Sequence, residues 1–500
     1  MVIINEYTSN FKAKFINDSI YGGIGLSKLE VDLINTPIFQ RLRNLRQLAF
    51  INYIFPCAEH SRFVHSLGVL YIMGRITDHL FNRGDITIED VIKLRIAALL
   101  HDIGHYPLSH LVEGVYCYKE DIKKRPKIVG NVPQGSLLSS LGQKIKKRAH
   151  HEQLGKFIIQ NNSTISKLLT DVGLDPIEIG NIITGEVGAE DGKLIYSQLM
   201  HSSLDADRLD YLLRDSSQTG VRYGFVDLDY LIRLLQVVKD YHIDLNGEKK
   251  VLDIIACNIK GQHVVEHYLM SRYFHYSQVI NHKTGTSFEA VAKVMIYKLI
   301  EAEKFIFNSY DEIKAQVNKD DFLKFTDSTL FGCLDDYYKR THDKDFIKFY
   351  DIIFGRKRPK TLIEIKDIVK KEEKTSYNDL RYYNLKRILI NEPQKIADIL
   401  RLDKEYIGFK EFEIAVESIP AHMTIEGSRD EIEEGLREAI RLVDENGQVT
   451  LLALDGKSLI NKLADYVSKS LRVFYIEPDD CNTESLYEEA KNKIQKFIQE

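Results

Sequence analysis

Five hundred residues, 44% apolar and 28% charged, suffice for two or three domains and a large core. A formal charge of -5 gives no global sign of a nucleic-acid or membrane partner. Five scattered cysteines without a CxxC pair argue for a reducing compartment and against a disulfide framework or thiolate zinc site; with no apolar run near the ~20 residues that span a bilayer and no signal-peptide core at the start, a cytoplasmic location and no membrane partner are expected.

Residues 1–28 read as a short β-hairpin or extended lead-in, with Gly22-Gly23 as the turn. From Ser27 to Leu48 the pattern is helical. Val31, Ile34, Ile38, Leu42 and Leu45 recur at steps of three and four, and Pro37 marks a break. Residues 60–82 form one amphipathic helix with His65 in its first turns and Val64, Leu67, Leu70, Tyr71 and Ile76 on its apolar face. Taken alone, His65 reads as a hydrogen-bonded, half-buried histidine. The next helix, 88–100, ends in Ala97-Ala98-Leu99-Leu100 and delivers His101-Asp102; Gly104 and Pro107 then break it while His105 and His110 follow. The negative end of the helix dipole accounts for His101 but leaves His105 and His110 unexplained. A rigid helix end followed by a freely turning loop is a good platform for aiming ligands into a cavity.

Residues 115–148 interrupt this regularity with Gly130, Gly135, Gly142, Pro126 and Pro133, and with nine basic residues against Glu120 and Asp121. They read as a solvated insertion or, more sharply, as a basic lid running into His150-His151-Glu152. Helices return over 153–200. In the helix Ser203–Asp215, Leu209, Leu212 and Leu213 share one side while Asp207, Arg208, Tyr211 and Asp215 share the other. A tyrosine among those charges points to a cleft rather than a solvated face. Residues 227–300 read as helical with a hairpin near Asn246-Gly247, and 301–400 as helical with charged linkers such as Gly355–Lys360. Strands at 412–416, 449–454 and 471–476 mark a small α+β domain from about 405.

His65, His101, Asp102 and Asp207 offer two imidazoles and two carboxylates, a set that suits Mn, Fe, Zn or Ni better than a thiolate-loving metal; spacing alone leaves open whether Asp207 meets His101. Arg62–Gly68, His101–His110, His151-Glu152 and Asp205–Tyr211 together resemble the HD superfamily and, more narrowly, its deoxynucleoside triphosphate triphosphohydrolases. The match is dense from about residue 15 to 290 and keeps motif order. The resemblance implies a mainly α fold: an HD helical core over 1–300 carrying the 115–148 insertion, a helical extension over 301–404, and the α+β domain over 405–500.

It further implies that His65, His101, Asp102 and Asp207 hold a divalent metal (Mn, Fe, Zn, Ni or Mg), and that His105, Glu113 and His151 form the acid/base group near the α-phosphate. Arg62, His110, Arg208, Tyr211 and Arg272 would face triphosphate and sugar. Gln47 and Asp215 would contact the 3′-hydroxyl, with Leu48 beside them, and Tyr211 would crowd the 2′ position in favour of deoxyribose. Glu113 replaces the usual Asp, Arg208 a common Lys, and Ile280 a Tyr found near the base in some relatives. Asn17, Asp18, Gln40, Arg43, Phe55, Lys260 and Lys283 match positions that bind a nucleotide effector at subunit contacts, where Asn35 stands for an Asp and Asn258 for a basic residue; they read equally as an oligomer interface. The leading expectation is therefore hydrolysis of dNTPs to deoxynucleoside and inorganic triphosphate by a dimer or tetramer regulated by a (d)NTP. A phosphohydrolase of nucleoside monophosphates or another phosphoester is the second reading. A nucleotide-sensing or single-stranded nucleic-acid-binding protein is the third.

Overall fold

The chain is mainly α-helical, and the computed structural model describes residues 13–124, 138, 150–186, 194–243, 249–370, 377–416, 435, 437–477 and 483–499. Most of the basic insertion and Cys481 lie outside the described residues; Cys57, Cys117, Cys257 and Cys333 are free thiols. No described helix is long and apolar enough to cross a membrane.

The expected hairpin is present: β1 (Lys14–Asp18) pairs antiparallel with β2 (Gly22–Leu26), and the Asp18 carboxylate closes the turn by accepting the N–H groups of Ile20 and Tyr21. α1 (Lys28–Ile34) begins at a Ser27/Glu30 capping box, and α2 (Pro37–Gln40) begins at Thr36, so the break at Pro37 is a helix start. Next come α3 (Arg62–Arg83), α4 (Ile88–Leu100), α5 (His110–Lys124), α6 (His151–Asn161), α7 (Pro176–Ile183), α8 (Leu194–His201) and α9 (Ala206–Thr219). α4 is the centre of this bundle. Every residue from Val91 to Leu100 is buried, and its two cations are paired, Lys93 with Glu178 at 2.9 Å and Arg95 with Glu30 at 2.8 Å. A helix buried on all sides carries His101-Asp102 out of the middle of the core. α3 packs on α4 and on α9, while α7 packs on α4 and α6.

The second half differs from the expected helices in two places. The hairpin expected near Asn246-Gly247 is present but long, replacing helix over 235–258: β3 (Leu235–Ile243) pairs antiparallel with β4 (Lys249–Asn258), and the tip lies outside the described residues. Val237, Val238, Val251, Ile254 and Ile255 are β-branched and pack better on a pleated surface than in a helix. After α10 (Gln262–His275), α11 (Lys283–Glu301), α12 (Asp327–Arg340) and α13 (Lys344–Phe354), the expected helical stretch 301–400 also contains a strand, β5 (Lys360–Lys370). Its alternation Ile363-Glu364-Ile365-Lys366 has period two, and its charge density resembles that of the neighbouring helices.

α14 (Tyr377–Asn391), α15 (Pro393–Leu400), β6 (Ile407–Ile414), β7 (Arg441–Val443), β8 (Val449–Leu451), β9 (Tyr466–Tyr475) and α16 (Thr483–Gln499) complete the order. The C-terminal strands are shared with earlier parts of the chain. One sheet runs β3-β4-β7-β8, the other β5-β9-β6 with β9 central and antiparallel to both neighbours. The first joins the main apolar core. The second has its own core of Leu362, Leu385, Ile396, Phe409, Leu471 and Ile494 beneath α14, α15 and α16.

Candidate active site

His65 stands in the first turn of α3, His101 caps α4, Asp102 follows it, and Asp207 lies in the first turn of α9. The packing of α9 on α3 brings all four together. His65 Nε2 is 2.9 Å from Asp207 Oδ1 and 3.8 Å from Asp102 Oδ2; His101 Nε2 is 3.3 Å from Asp102 Oδ1 and 3.9 Å from Asp207 Oδ1. Each imidazole commits its other nitrogen to the protein. His65 Nδ1 donates to Asp210 Oδ2 at 2.7 Å and His101 Nδ1 donates to the Ala98 carbonyl at 2.8 Å. Both Nε2 atoms are left buried without hydrogen-bond partners, facing the two carboxylates. Converging imidazole lone pairs and carboxylates, with the far nitrogens anchored, are a divalent-cation donor set. The ligand atoms of His65, His101 and Asp102 lie within 4.8 Å of one another, so these residues can hold a metal ion. Burial opposes charge on His65, yet the carboxylates of Asp207 and Asp210 lift its imidazole to about 10.

Asp210 is the residue that sequence reasoning missed here. It is fully buried, takes hydrogen bonds from Tyr21 Oη at 2.7 Å and Arg214 Nε at 2.9 Å, and sets the His65 tautomer. The available signal was Gly68, one turn beyond His65, where a Cβ would meet Asp210 Oδ1 at 1.9 Å.

A second polar group adjoins the first. His105 is fully buried, with Nε2 3.1 Å from Asp102 Oδ1, and its ring stacks on His151 at 3.8 Å. Gly104 permits that stack, since a Cβ there would come within 2.2 Å of the His151 carbonyl. Glu113 Oε2 accepts from His110 Nδ1 at 2.9 Å and from His151 Nδ1 at 3.1 Å. Burial opposes its ionisation, but His151 and His110 hold its carboxyl well below the usual range. Burial, reinforced by Arg62 and His151, pushes His105 well below the ordinary histidine value, and burial also lowers His151.

The loop between these groups is held in an unfavourable conformation. Leu108 and Ser109 have φ of 50° and 55°, the left-handed region, without being glycine. Asp327, at the start of α12, clamps them: its carboxylate accepts Leu108 N–H at 2.7 Å and Arg46 N–H at 2.9 Å. Ser109 Oγ donates to the Arg46 carbonyl at 2.6 Å and accepts from Arg62 Nε at 2.9 Å, while Arg62 Nη1 donates to Asp102 Oδ2 at 2.8 Å. Arg41 adds bridges to the carbonyls of Phe325 and Ile103. Nothing local in the sequence marks Asp327, which lies more than two hundred residues from the loop it holds.

A cavity of about 460 Å³ opens beside these groups; Glu113, Asp210 and Asp327 are not among its lining residues. Gln47, Leu48, Arg62, His110, Arg208, Tyr211, Asp215 and Arg272 line it, as do Asp102, Asp207, His105, His151 and Ile280; His65 and His101 lie behind the carboxylates. Arg208 leans on Asp205 and Glu438, and Arg272 Nη1 donates to the Ser203 carbonyl at 2.9 Å. Gln47 Oε1, Tyr211 Oη and Arg272 Nε are buried without partners. Asp215 is taken by two histidines that the sequence reading gave no role: His60 Nε2 donates to Oδ1 at 2.8 Å, and His275 Nε2 lies 3.2 Å from Oδ2. The seven residues expected at an effector site do not line this cavity. Asp18 takes Arg214, Gln40 accepts from Arg43 Nε, and the Arg43 guanidinium lies 3.5 Å from the Phe63 ring centre. Asn17 is in β1, Phe55 lies edge-on to His282, Lys260 pairs with Glu445, and Lys283 begins α11.

Residues 62–215 match the HD domain family. An uncharacterized protein of Methanocaldococcus jannaschii is 31% identical over 327 residues, covering 64% of this chain and 57% of that protein. The deoxynucleoside triphosphate triphosphohydrolase SAMHD1 homolog of Dictyostelium discoideum is 30% identical over 336 residues, covering 65% of this chain and 55% of that relative. The chain thus spans little more than half the length of these relatives. Among solved structures, a hypothetical protein from Aquifex aeolicus superposes with a TM-score of 0.64 at 25% identity, covering 96% of this chain and 99% of that one. Beside the candidate metal-centre geometry at His65, His101, Asp102 and Asp207, these matches show an HD domain over residues 62–215 and a chain similar to deoxynucleoside triphosphate triphosphohydrolases.

Proposed function

We propose that the chain hydrolyses deoxynucleoside triphosphates to deoxynucleoside and inorganic triphosphate. The observation that carries this reading is that one cavity is lined at once by the carboxylates of the candidate metal centre, by three arginines, and by Gln47, Tyr211 and Asp215. His65, His101, Asp102 and Asp207 would hold the metal, a divalent cation that would polarise a phosphoryl oxygen and acidify water.

The remaining work falls to the chain itself. Arg62, Arg208 and Arg272 neutralise the charge that gathers on the phosphate oxygens. His105 and His151, held neutral by burial, orient the α-phosphate as hydrogen-bonding groups. His110 is hydrogen-bonded to Glu113 and exposed enough to meet substrate, and it delivers a proton to the departing 5′ oxygen as water oxygen bonds to the α-phosphorus. Tyr211, stacked near His275, closes the 2′ side of the sugar, while Gln47 and Asp215 meet its 3′-hydroxyl. A nucleotide effector, an oligomer and a cytoplasmic location complete the proposal; the Gln40–Arg43 surface is where an effector would sit.

Ion-exchange separation of products from each dNTP, alone and mixed, with Mn²⁺ or Mg²⁺ tests the reading. Deoxynucleoside with intact triphosphate is expected, and turnover only in mixtures would reveal the activating nucleotide. Release of phosphate or pyrophosphate would overturn the mechanism.

A further inference from the structure

Three further charged side chains of the cavity lining have no role in that chemistry. Glu289 and Lys293 stand four residues apart on one face of α11, and Lys410 comes from β6, which packs on α11. All three line the cavity, and none makes a hydrogen bond or ion pair with a described residue. Lys293 Nζ lies over Gly114, next to Glu113, where a Cβ would come within 3.3 Å of it. Burial pushes Lys293 down to about 8, with Lys410 adding to the effect, and burial lifts Glu289 above the usual carboxylate range. Charges held in a cavity without hydrogen bonds are unfavourable until a ligand completes them, even where, as here, they attract one another.

The composition of the trio restricts that ligand. A phosphate would meet the two ammonium groups but be repelled by Glu289; a metal ion would meet Glu289 but be repelled by both lysines. Two donors and one acceptor match a group that itself mixes acceptors with donors, and the part of a nucleotide that does so is the edge of its base. An ammonium pairs best with a carbonyl oxygen, and a carboxylate with an N–H. Guanine and thymine carry a carbonyl directly beside a ring N–H. Cytosine and adenine set an amino N–H beside an unprotonated ring nitrogen, a poorer partner for an ammonium than a carbonyl oxygen. Tyr276 and Ile280, just before α11, line the same cavity and offer surface for the face of the base.

We propose that Glu289, Lys293 and Lys410 form a base-edge subsite that selects keto bases, guanine or thymine, over adenine and cytosine. The subsite rests on the nucleotide reading of the cavity and deepens it.

The test gives the whole chain an equimolar mixture of the four dNTPs, so that all compete for one enzyme form, and quantifies the four deoxynucleosides. Wild type is expected to favour dGTP and dTTP over dATP and dCTP by ~tenfold or more, the worth of one charge-assisted hydrogen bond. Glu289→Gln and Lys293→Met are each expected to bring that ratio to within ~twofold while dATP turnover persists, which also reports that the variants fold. Lys410→Met, on a different element, replaces either variant that does not fold. Equal use of the four dNTPs by wild type overturns the subsite. So does an equal loss on all four in the variants, which would make Lys293 an electrostatic partner of Glu113 instead. No turnover of any dNTP overturns the proposed function, and the subsite with it.

Discussion

On the wall built by α3, α4 and α9, His65 and His101 each anchor one nitrogen on a protein acceptor and turn the other toward Asp102 and Asp207, which line the cavity. On α11 and β6, Glu289, Lys293 and Lys410 face the same cavity with no hydrogen bond or ion pair to a described residue. The first wall is organised before any ligand arrives, because Asp210, Tyr21 and Arg214 over-determine the orientation of His65. The second is left for a ligand to complete. Such a division suits an enzyme whose chemistry is constant but whose substrate must be read: rigidity belongs where charge is stabilised, and unsatisfied polarity where discrimination is made.

The contrast breaks most severely at Asp207. Asp207→Ala is expected to abolish bound metal and to lower turnover by ~10³-fold or more, read as metal stoichiometry beside initial rates. Metal retained at full stoichiometry would remove Asp207 from the ligand set. Asp210→Asn tests the anchoring rather than the ligand. It should weaken metal affinity by ~10–100-fold, with turnover recovered at higher metal concentration; unchanged affinity would show that His65 needs no anchor.

Asp327 tests whether the loop of His105 and His110 depends on a distant helix. Asp327→Ala leaves the Leu108 and Arg46 N–H groups without an acceptor and should cost about 2 kcal/mol in urea unfolding, with a lowered rate but retained metal. A variant as stable and as active as wild type would show that the strained loop holds itself. Tyr211→Ala should lower the preference for dNTPs over ribonucleotides by ~tenfold in competition assays, and an unchanged ratio would remove its sugar role.

The smallest effect has the opposite sign. Lys293→Met should stabilise the protein by about 1 kcal/mol at neutral pH, because it removes a half-buried ammonium that makes no ion pair with a described residue. The folded-state value of about 8 lies below that of an exposed lysine. Below pH 8 the group is therefore charged in both states and only the folded state is penalised. As pH rises past 8 the folded protein releases its proton first and wild-type stability recovers, so the advantage of the variant should shrink in unfolding curves taken up to pH 10 or so. A destabilised variant at neutral pH would mean that Lys293 has a structural partner.

Sequence by itself determined where the histidines and carboxylates of each motif stand on their own helices. Helices close their hydrogen bonds within four residues, so the 88–100 helix, its end at His101 and the cleft-facing side of α9 are encoded locally. Motif order carried the family for the same reason. What only the tertiary structure decided was set by contacts across long stretches of chain. Asp207 meets His65 through helix packing, Asp210 fills the gap left by Gly68, and Asp327 reaches Leu108 from a distant helix. Residues 360–370 became a strand by pairing with β9, far away in sequence, and the local β3–β4 hairpin was joined at its end by β7. The unpaired charges of α11 and β6 belong to the same class, since a helix face and a strand acquire a common cavity only once both have packed around it.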